Sequence, residues 1–169
     1  DSDLIIDGGI ISINKSYEGL EGTTITINDG NIKIISTDDG INASTTSGVG
    51  INFNGGNIYV YAGGDGLDSN SRTQYQGIIF NGSNVTVIST TSMNSSIDTE
   101  QGYTYNSGSI LAICPSGGMS NEATKCQNFS SVATKSTIML KSGQTLDVTV
   151  DNVVVKRVEI PSNISALVL

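Results

Sequence analysis

The sequence predicts an all-β fold, a parallel β-solenoid whose short strands stack from one coil to the next. A corner motif recurs five times, with spacings of 21, 26, 27 and 25 residues, at Gly9, Gly30, Gly56, Ser83 and Gly108. Apolar or aromatic residues stand three and five positions before every anchor and two and four positions after it, although only 37% of the chain is hydrophobic. Because side chains alternate along a strand, this pattern predicts two strands per coil facing one core, repeated over about five coils.

The composition excludes several functional classes. A chain of 169 residues is long enough for one domain with its own core. Its 16 acidic residues against 8 basic ones exclude binding along a nucleic-acid backbone, which needs a basic surface. It contains no histidine, so histidine-dependent triads and histidine-ligated zinc are excluded as well. No apolar run approaches the roughly 20 residues of a membrane helix.

Residues that are polar, apart from Ile10, flank the anchors in two columns. They are Asp7, Asn28, Asn54, Asn81 and Asn106 before the anchors, and Ile10, Asn31, Asn57, Asn84 and Ser109 after them. Stacked asparagines can hydrogen-bond from coil to coil and tolerate the backbone of a tight corner. We therefore predict structural asparagine ladders at the corners.

A second motif, with the pattern acid, glycine, apolar residue, then acid or amide, follows three of the anchors. It occupies residues 18–21, 39–42 and 65–68, while the fourth unit keeps only Ile97-Asp98 and the fifth only Gly118-Met119. We expect the apolar residue to enter the core and the glycine to allow a sharp bend. Two carboxylates about 5 Å apart repel by roughly 3 kcal/mol at an effective dielectric of 20. The acidic turns therefore favour calcium, which prefers such oxygen ligands, over a merely solvated face.

The segments 16–22, 37–43 and 64–70, with Gly117-Gly118-Met119 before Glu122, resemble the bacterial carbohydrate-binding domain-containing family, of the clostridial cell-surface type. The resemblance implies a right-handed parallel β-helix of the pectate-lyase type that binds calcium and plant polysaccharide, pectate-like or cellulose-like, without catalysis. The calcium ligands that it implies are Glu18, Glu21, Asp38, Asp39, Asn42, Asp65 and Asp68.

One pair of residues could support catalysis. Asp38-Asp39 is similar to the paired aspartates of polygalacturonases, in which two carboxylates act as acid and base. The remaining constellation is missing, because the chain has no histidine and its only arginines are Arg72 and Arg157. We therefore predict a protein that is not an enzyme.

Tyrosines are the candidates for stacking on sugars, since the chain has no tryptophan. Tyr17 lies on a turn, and Tyr59 and Tyr61 point outward by the alternation, whereas Tyr103 and Tyr105 take core positions. A further outward column is apolar and contains Ile35, Tyr61, Ile88 and Ile113. Such a stripe predicts a cover, which is the chain's own tail, another subunit or a glycan.

The repeat covers residues 1–125 and is lost in residues 126–169. There the β-branched segments 137–140, 146–150, 153–158 and 164–168 predict strands, with turns at Ser142-Gly143 and Asp151-Asn152. We expect this C-terminal β-element to pack on the solenoid or cap its end, within one globular unit.

The other end of the repeat suggests an alternative function. Leu4 already belongs to the first coil, so this coil is expected to present a bare strand edge. Pairing of that edge with another copy would propagate head to tail into an extracellular filament.

Cys114 and Cys126 bracket a 13-residue segment that a disulfide could close, with a stabilisation of roughly 3 kcal/mol. A disulfide in an acidic chain rich in serine, threonine and asparagine, together with calcium binding, predicts an extracellular or cell-surface location.

Overall fold

The computed structural model describes residues 2–115, 126–127, 135–161 and 163–168, and contains strands but no helix among them. The strands are β1 Leu4–Ile6, β2 Ile10–Ser16, β3 Leu20–Gly22, β4 Ile25–Ile27, β5 Asn31–Ser36, β6 Ile41–Ala43, β7 Ile51–Phe53, β8 Asn57–Ala62, β9 Leu67–Ser69, β10 Ile78–Ser89, β11 Ile97–Thr99, β12 Tyr103–Pro115, β13 Cys126–Gln127, β14 Lys135–Leu140, β15 Thr145–Val150, β16 Val153–Glu159 and β17 Ile164–Val168.

The strands up to β12 form a parallel β-solenoid with three faces. The first face consists of β1, β4, β7 and the beginnings of β10 and β12, and the second of β2, β5, β8 and the remainders of β10 and β12. The third face is a four-stranded sheet of β3, β6, β9 and β11. The predicted all-β parallel solenoid is confirmed. It completes about four turns, and β12 and β13 extend the first face beyond them.

The register follows the repeat read from the sequence. On the first face Leu4 aligns with Ile25, and Ile25 with Ile51, while on the second face Ile32 aligns with Ile58. Identical positions of successive coils therefore stack directly, and the apolar residues beside the anchors become continuous rows in the core. Most of these core residues are fully buried.

Aromatic residues fill the core near the end of the solenoid. The rings of Phe53 and Phe80 stack with centroids 5.2 Å apart, and Tyr103 meets Phe80 edge to face at 5.8 Å. Tyr105 packs against the same core. The prediction that Tyr103 and Tyr105 are core residues is confirmed.

The C-terminal strands form antiparallel pairs beside the solenoid. Strand β17 pairs with β14 and with the end of β12, and β15 pairs with β16 to form a hairpin. The hairpin turns at Asp151 and Asn152, which both have positive φ, and Gly143 in the preceding turn also has positive φ. The four strands and two turns predicted for this segment are all present.

The tail covers the apolar stripe of the second face. Ile88 and Ile113 are 0% exposed and form a second core with Leu140, Val158 and Ile160 of the tail. Of the three predicted covers, the chain's own tail is the one observed. Its burial of these side chains fixes the C-terminal element to the solenoid.

The predicted disulfide is absent, because both cysteines are free. Cys126 pairs with Tyr103 at the start of β12, whereas Cys114 lies near the other end of this 13-residue strand, opposite Val168. The two cysteines are close in sequence, but Cys126 lies on the first face beside the start of β12 and Cys114 lies near its end. The expected loop closure was therefore wrong.

Candidate functional site

Asparagine ladders frame the corner next to the second face, as predicted. In the first ladder the amide nitrogens of Asn28, Asn54, Asn81 and Asn106 donate to the preceding side chain at 2.7, 2.8, 3.0 and 2.7 Å. The ladder ends at Asp7, whose carboxylate accepts the hydrogen bond from Asn28. In the second, Asn57 donates to Asn31 at 3.0 Å and Asn84 to Asn57 at 3.1 Å. These bonds hold successive coils in register.

The acidic turns connect the second and third faces, and their backbones also stack. Gly40 N donates to Asp65 O at 2.9 Å, and the equivalent bond from Gly66 goes to Ser95 O at 2.9 Å. Two carboxylates join this stack, because Asp65 N donates to Asp39 Oδ1 at 2.7 Å and Ser95 N donates to Asp65 Oδ1. Asp39 and Asp65 therefore have a structural role that the motif did not reveal.

The glycines of the motif lie at bends of the backbone, as predicted, and close packing also requires them there. A Cβ at Gly40 would lie 2.5 Å from the carbonyl oxygen of Gly66 and closer still to Val60. One at Gly66 would lie 2.6 Å from the oxygen of Ser96. Neither glycine has a left-handed backbone. The apolar residues after them enter the core, as predicted, and Ile41 and Leu67 are 0% exposed.

A second acidic column runs along the outside of the third face. The strand register aligns Glu21, Asn42, Asp68 and Asp98. Asp98 was missing from the predicted ligands, although the retained Ile97-Asp98 pair signalled its position. The motif at Gly118-Met119, like Glu122, lies outside the described residues.

The two columns bring several acids together, and burial and mutual repulsion raise the pKa values of some of them. Burial, followed by the charges of Asp39 and Asp38, raises the pKa of Glu18 to about 7. Burial, with the charges of Asp39 and Asp98, raises the pKa of Asp68 to about 7.

Asp65 shows the same effect more weakly. Burial raises its pKa to about 6, although the hydrogen bond from Ser95 opposes the shift. Among the described residues, no lysine or arginine contributes to any of these shifts. The metal-free turns are therefore electrostatically frustrated.

Two oxygen atoms at this site lack a partner. Glu18 Oε2 and Asn42 Oδ1 are buried and accept no hydrogen bond. Unsatisfied buried oxygens are costly, and a hard cation would satisfy them. No three acidic or cysteine side chains of the described residues converge as a ready-made metal site. Calcium, which takes six to eight oxygens, would therefore need further ligands beside these side chains.

Tyr17 belongs to this acidic site and not to an aromatic platform with the other tyrosines. Its side chain is 71% exposed. A hydrogen bond to Asp38, together with the charge of that residue, raises the pKa of Tyr17. Tyr59 and Tyr61 lie elsewhere, partly buried against the tail. The predicted sugar-stacking residues are thus divided between two sites.

The second site is a groove between the second face and the hairpin. One part has a volume of about 630 Å³ and the adjoining part about 480 Å³, and both are lined by Lys33 and Tyr59. The remaining lining residues that matter here are Asn31, Asn57, Asn84, Lys156 and Arg157 in the first part and Tyr61 in the second. Sequence reasoning missed this groove, because its second wall comes from the tail.

Tyr59 stands at the centre of the groove, and its register neighbours are Lys33 and Thr86. Burial, with the nearby Tyr61 and Glu159, raises the pKa of Tyr59 to about 12, so its hydroxyl stays protonated and can donate a hydrogen bond. The groove therefore offers an aromatic ring, a row of amides and basic groups along the solenoid axis.

Comparison with known proteins gives one match. A family model described as carbohydrate-binding domain-containing protein matches residues 1–160. No curated protein and no solved structure matches the chain. Within the described residues, no helix is long and apolar enough to cross a membrane.

Proposed function

The chain belongs to the carbohydrate-binding domain-containing protein family, and on that premise we propose that it binds a polysaccharide in the groove without cleaving it. The observation that carries the proposal is the groove between the second face and the hairpin, which is lined by Tyr59 and an in-register row of amides. Membership of a family described by carbohydrate binding favours binding over catalysis.

The groove offers the chemistry that a sugar chain needs. Tyrosine rings pack against the apolar faces of sugar rings, and amides bond to their hydroxyls. Each NH2 group of Asn57 and Asn84 has a second hydrogen that the ladder does not use. Because the coils repeat along one axis, the same donors recur every coil, which suits a polymer of repeating units.

The charges favour an acidic, pectate-like polymer over a neutral, cellulose-like one. Lys33, Lys156 and Arg157 line the groove in a chain that has 8 basic residues and a net charge of −8. Arg157 is paired with Asp147 at 2.6 Å, which leaves two lysines for a ligand. Basic groups concentrated in one groove of an acidic protein attract an anionic ligand.

Calcium is the cofactor that we propose for the acidic turns. Glu18, Asn42 and Asp68 supply hard oxygen ligands, and the raised pKa values of Glu18 and Asp68 report repulsion that a divalent cation would relieve. The other proposed ligands are Glu21, Asp38, Asp39, Asp65 and Asp98. Calcium would act structurally here, by neutralising the turns that join the second face to the third.

This cofactor also supports an extracellular or cell-surface location, since calcium modules with weak sites work at the millimolar concentrations outside cells. The acid and base roles weighed for Asp38 and Asp39 are less favourable in the structure. Asp39 accepts the backbone N–H of Asp65 and so is committed to the stack.

The binding proposal is tested by measuring the affinity of the purified protein for pectate and for cellulose in millimolar calcium. We expect Tyr59→Ala to weaken pectate binding about tenfold, because it removes the stacking ring. Tyr17→Ala is the matched tyrosine variant and should bind as the wild type does. Because Tyr59 also contacts the second core, Lys33→Gln, at an exposed position, provides an independent loss of affinity. Loss with Tyr17→Ala alone would move the sugar site to the acidic turns.

The alternative function is a head-to-tail filament, and the feature that supports it is the first coil of the solenoid. Strands β1, β2 and β3 each pair on one side only within the described residues. Ile5 and Ile10 on this coil are 63% and 86% exposed. We expect sedimentation velocity in millimolar calcium to reveal fast, heterogeneous species if copies pair through this edge. A single slow species near 18 kDa would rule the filament out.

A further inference from the structure

The hairpin of β15 and β16 is attached to the solenoid at its base. The two strands pair only with each other among the described residues. Leu146, Val148 and Val158 at the base pack into the second core, whereas Val153 and Val154 near the tip are 63% and 44% exposed. A two-stranded hairpin is marginally stable by itself, so the stability of its tip depends on the surface or ligand that the tip contacts.

A β-bulge lies where the hairpin borders the groove. Val148 aligns with Lys156, but the next residue, Thr149, aligns with Val154, which leaves Val155 as an extra residue. Bulges bend a strand and redirect side chains, and they are common next to binding sites. Val155, Lys156 and Arg157, at and beside the bulge, all line the groove.

Lys156 makes a polar contact between the hairpin and the solenoid. Its half-buried ammonium donates to Asn84 Oδ1 and, at 3.4 Å, to the carbonyl oxygen of Val85. Both acceptors are neutral, and no carboxylate of the described residues pairs with it. The neighbouring Arg157 differs, because Asp147 accepts from its guanidinium at 2.6 and 2.7 Å.

The Lys156 ammonium is held by neutral oxygens, so an anionic ligand would add an electrostatic attraction that its present partners do not provide. Hydrogen bonds between an ammonium and a carboxylate are about twice as strong as bonds in which neither partner is charged. Lys156 also stands between the amide row and the hairpin, within reach of a ligand lying against Tyr59. Its transfer to a ligand carboxylate would replace two contacts with neutral oxygens by an ion pair, which adds the attraction of opposite charges.

We infer that Lys156 determines the specificity of the groove, and that its transfer from Asn84 and Val85 to a ligand carboxylate clamps the hairpin onto an acidic sugar chain. This inference rests on the proposed polysaccharide-binding function. The bulge at Val155 supplies the bend that lets the tip follow the ligand, while the apolar base stays packed. The tail thus supplies the lysine that sets the selectivity between acidic and neutral chains, beside Lys33 of the repeat.

The probes are polygalacturonate and the same polymer with its carboxylates methyl-esterified, with affinities measured by titration calorimetry in calcium. The wild type should prefer the free acid. Lys156→Gln should weaken binding of the acid about tenfold, leave the ester unchanged and so reduce the preference. Lys156→Arg should keep it. Lys15→Gln removes one positive charge outside the groove and should behave as the wild type does.

Hydrogen exchange tests the clamp. In the wild type, amides of β15 and β16 should exchange more slowly with polygalacturonate bound, and in Lys156→Gln they should not. Equal slowing in both proteins would overturn the clamp, and an unchanged acid preference in Lys156→Gln would overturn the assignment of specificity. A wild type that binds neither polymer would instead refute the proposed function, so the two failures are distinguishable.

Discussion

Gly40 and Gly66 show how closely successive coils approach at the acidic turns. A Cβ added at Gly40 would lie 2.5 Å from a carbonyl oxygen of the next coil, and one added at Gly66 would lie 2.6 Å from such an oxygen. Gly9, at a corner, is glycine for a different reason, since its φ is +95° and nothing lies within 4 Å of its Cβ position. Glycine therefore meets a packing requirement in one place and a backbone requirement in the other.

This difference predicts the result of two alanine substitutions. Gly40→Ala should destabilise the protein by about 3 kcal/mol or more, because the added methyl meets backbone and core that cannot both move. Gly9→Ala should cost only about 1–2 kcal/mol of backbone strain. Urea denaturation gives both free energies of unfolding, and equal losses would show that close packing is not the cause at Gly40.

The acidic turns predict a pH dependence in metal-free protein. The pKa values of Glu18 and Asp68 are raised to about 7 and that of Asp65 to about 6, above their unfolded values near 4. The folded state therefore binds protons more tightly than the unfolded chain does. The stabilisation is complete below pH 4 and is lost as the pH rises through 6 and 7.

We accordingly expect the Tm in chelator to fall between pH 5 and pH 8 at constant ionic strength. Asp68→Asn removes one of these groups and should reduce the fall. Glu100→Gln, which removes an exposed acid outside both columns, is the control and should leave the fall intact. A Tm that rises over this range would contradict the assignment.

At the scale of elements, the ladders join successive coils through side-chain hydrogen bonds. Asn54 is an interior member, because it donates to Asn28 and accepts from Asn81. Asp7 is a terminal member and only accepts. In the first ladder, the sequence therefore places a carboxylate at the end position, where no donor is required.

Substituting Asp for Asn54 and Asn for Asp7 tests whether the hydrogen bonds of the ladder have a preferred direction. Asn54→Asp leaves Asn28 without its donor and should cost about 1–3 kcal/mol. Asp7→Asn keeps the acceptor and should change the free energy of unfolding by less than about 0.5 kcal/mol. Both values come from urea denaturation. Similar losses in the two variants would show that the ladder has no preferred direction.

At the scale of the whole molecule, the solenoid carries negative charge at the turns that follow the second face and a groove with basic side chains on that face. Burial of acids without cations leaves the acidic turns as the weak part of the stack, since each coil contacts only its neighbours. A ligand that binds the folded state there stabilises the entire chain by mass action.

Calcium should therefore raise the Tm in a saturable way. At a hundred times its Kd, the expected stabilisation is about 2.7 kcal/mol. Differential scanning calorimetry in chelator and in increasing calcium measures it, with magnesium as the competing cation. Asn42→Ala removes one of the unpartnered oxygens and should reduce the gain. An identical Tm at every calcium concentration would remove calcium from the turns.

Much of the fold follows from local pattern. The positions around Gly30 and Gly56 repeat in type and spacing, and a solenoid stacks equivalent positions directly, so the core rows, the ladders and the acidic columns could all be predicted. The tail strands could be predicted too, because β-branched segments and the Asp151-Asn152 turn are local signals. For the same reason Asp98 was recoverable from its neighbour Ile97.

The sequence by itself therefore determined the solenoid, the ladders, the acidic turns and the strands of the tail. Only the tertiary structure decided that Cys114 and Cys126 lie apart and that the hairpin joins Lys156 to Asn84, 72 residues away, as the wall of a groove. The physical reason is that stacking between repeats is dictated by the repeat itself. The docking of a non-repeating tail depends instead on the shape and burial of two surfaces, which no periodicity in the chain encodes.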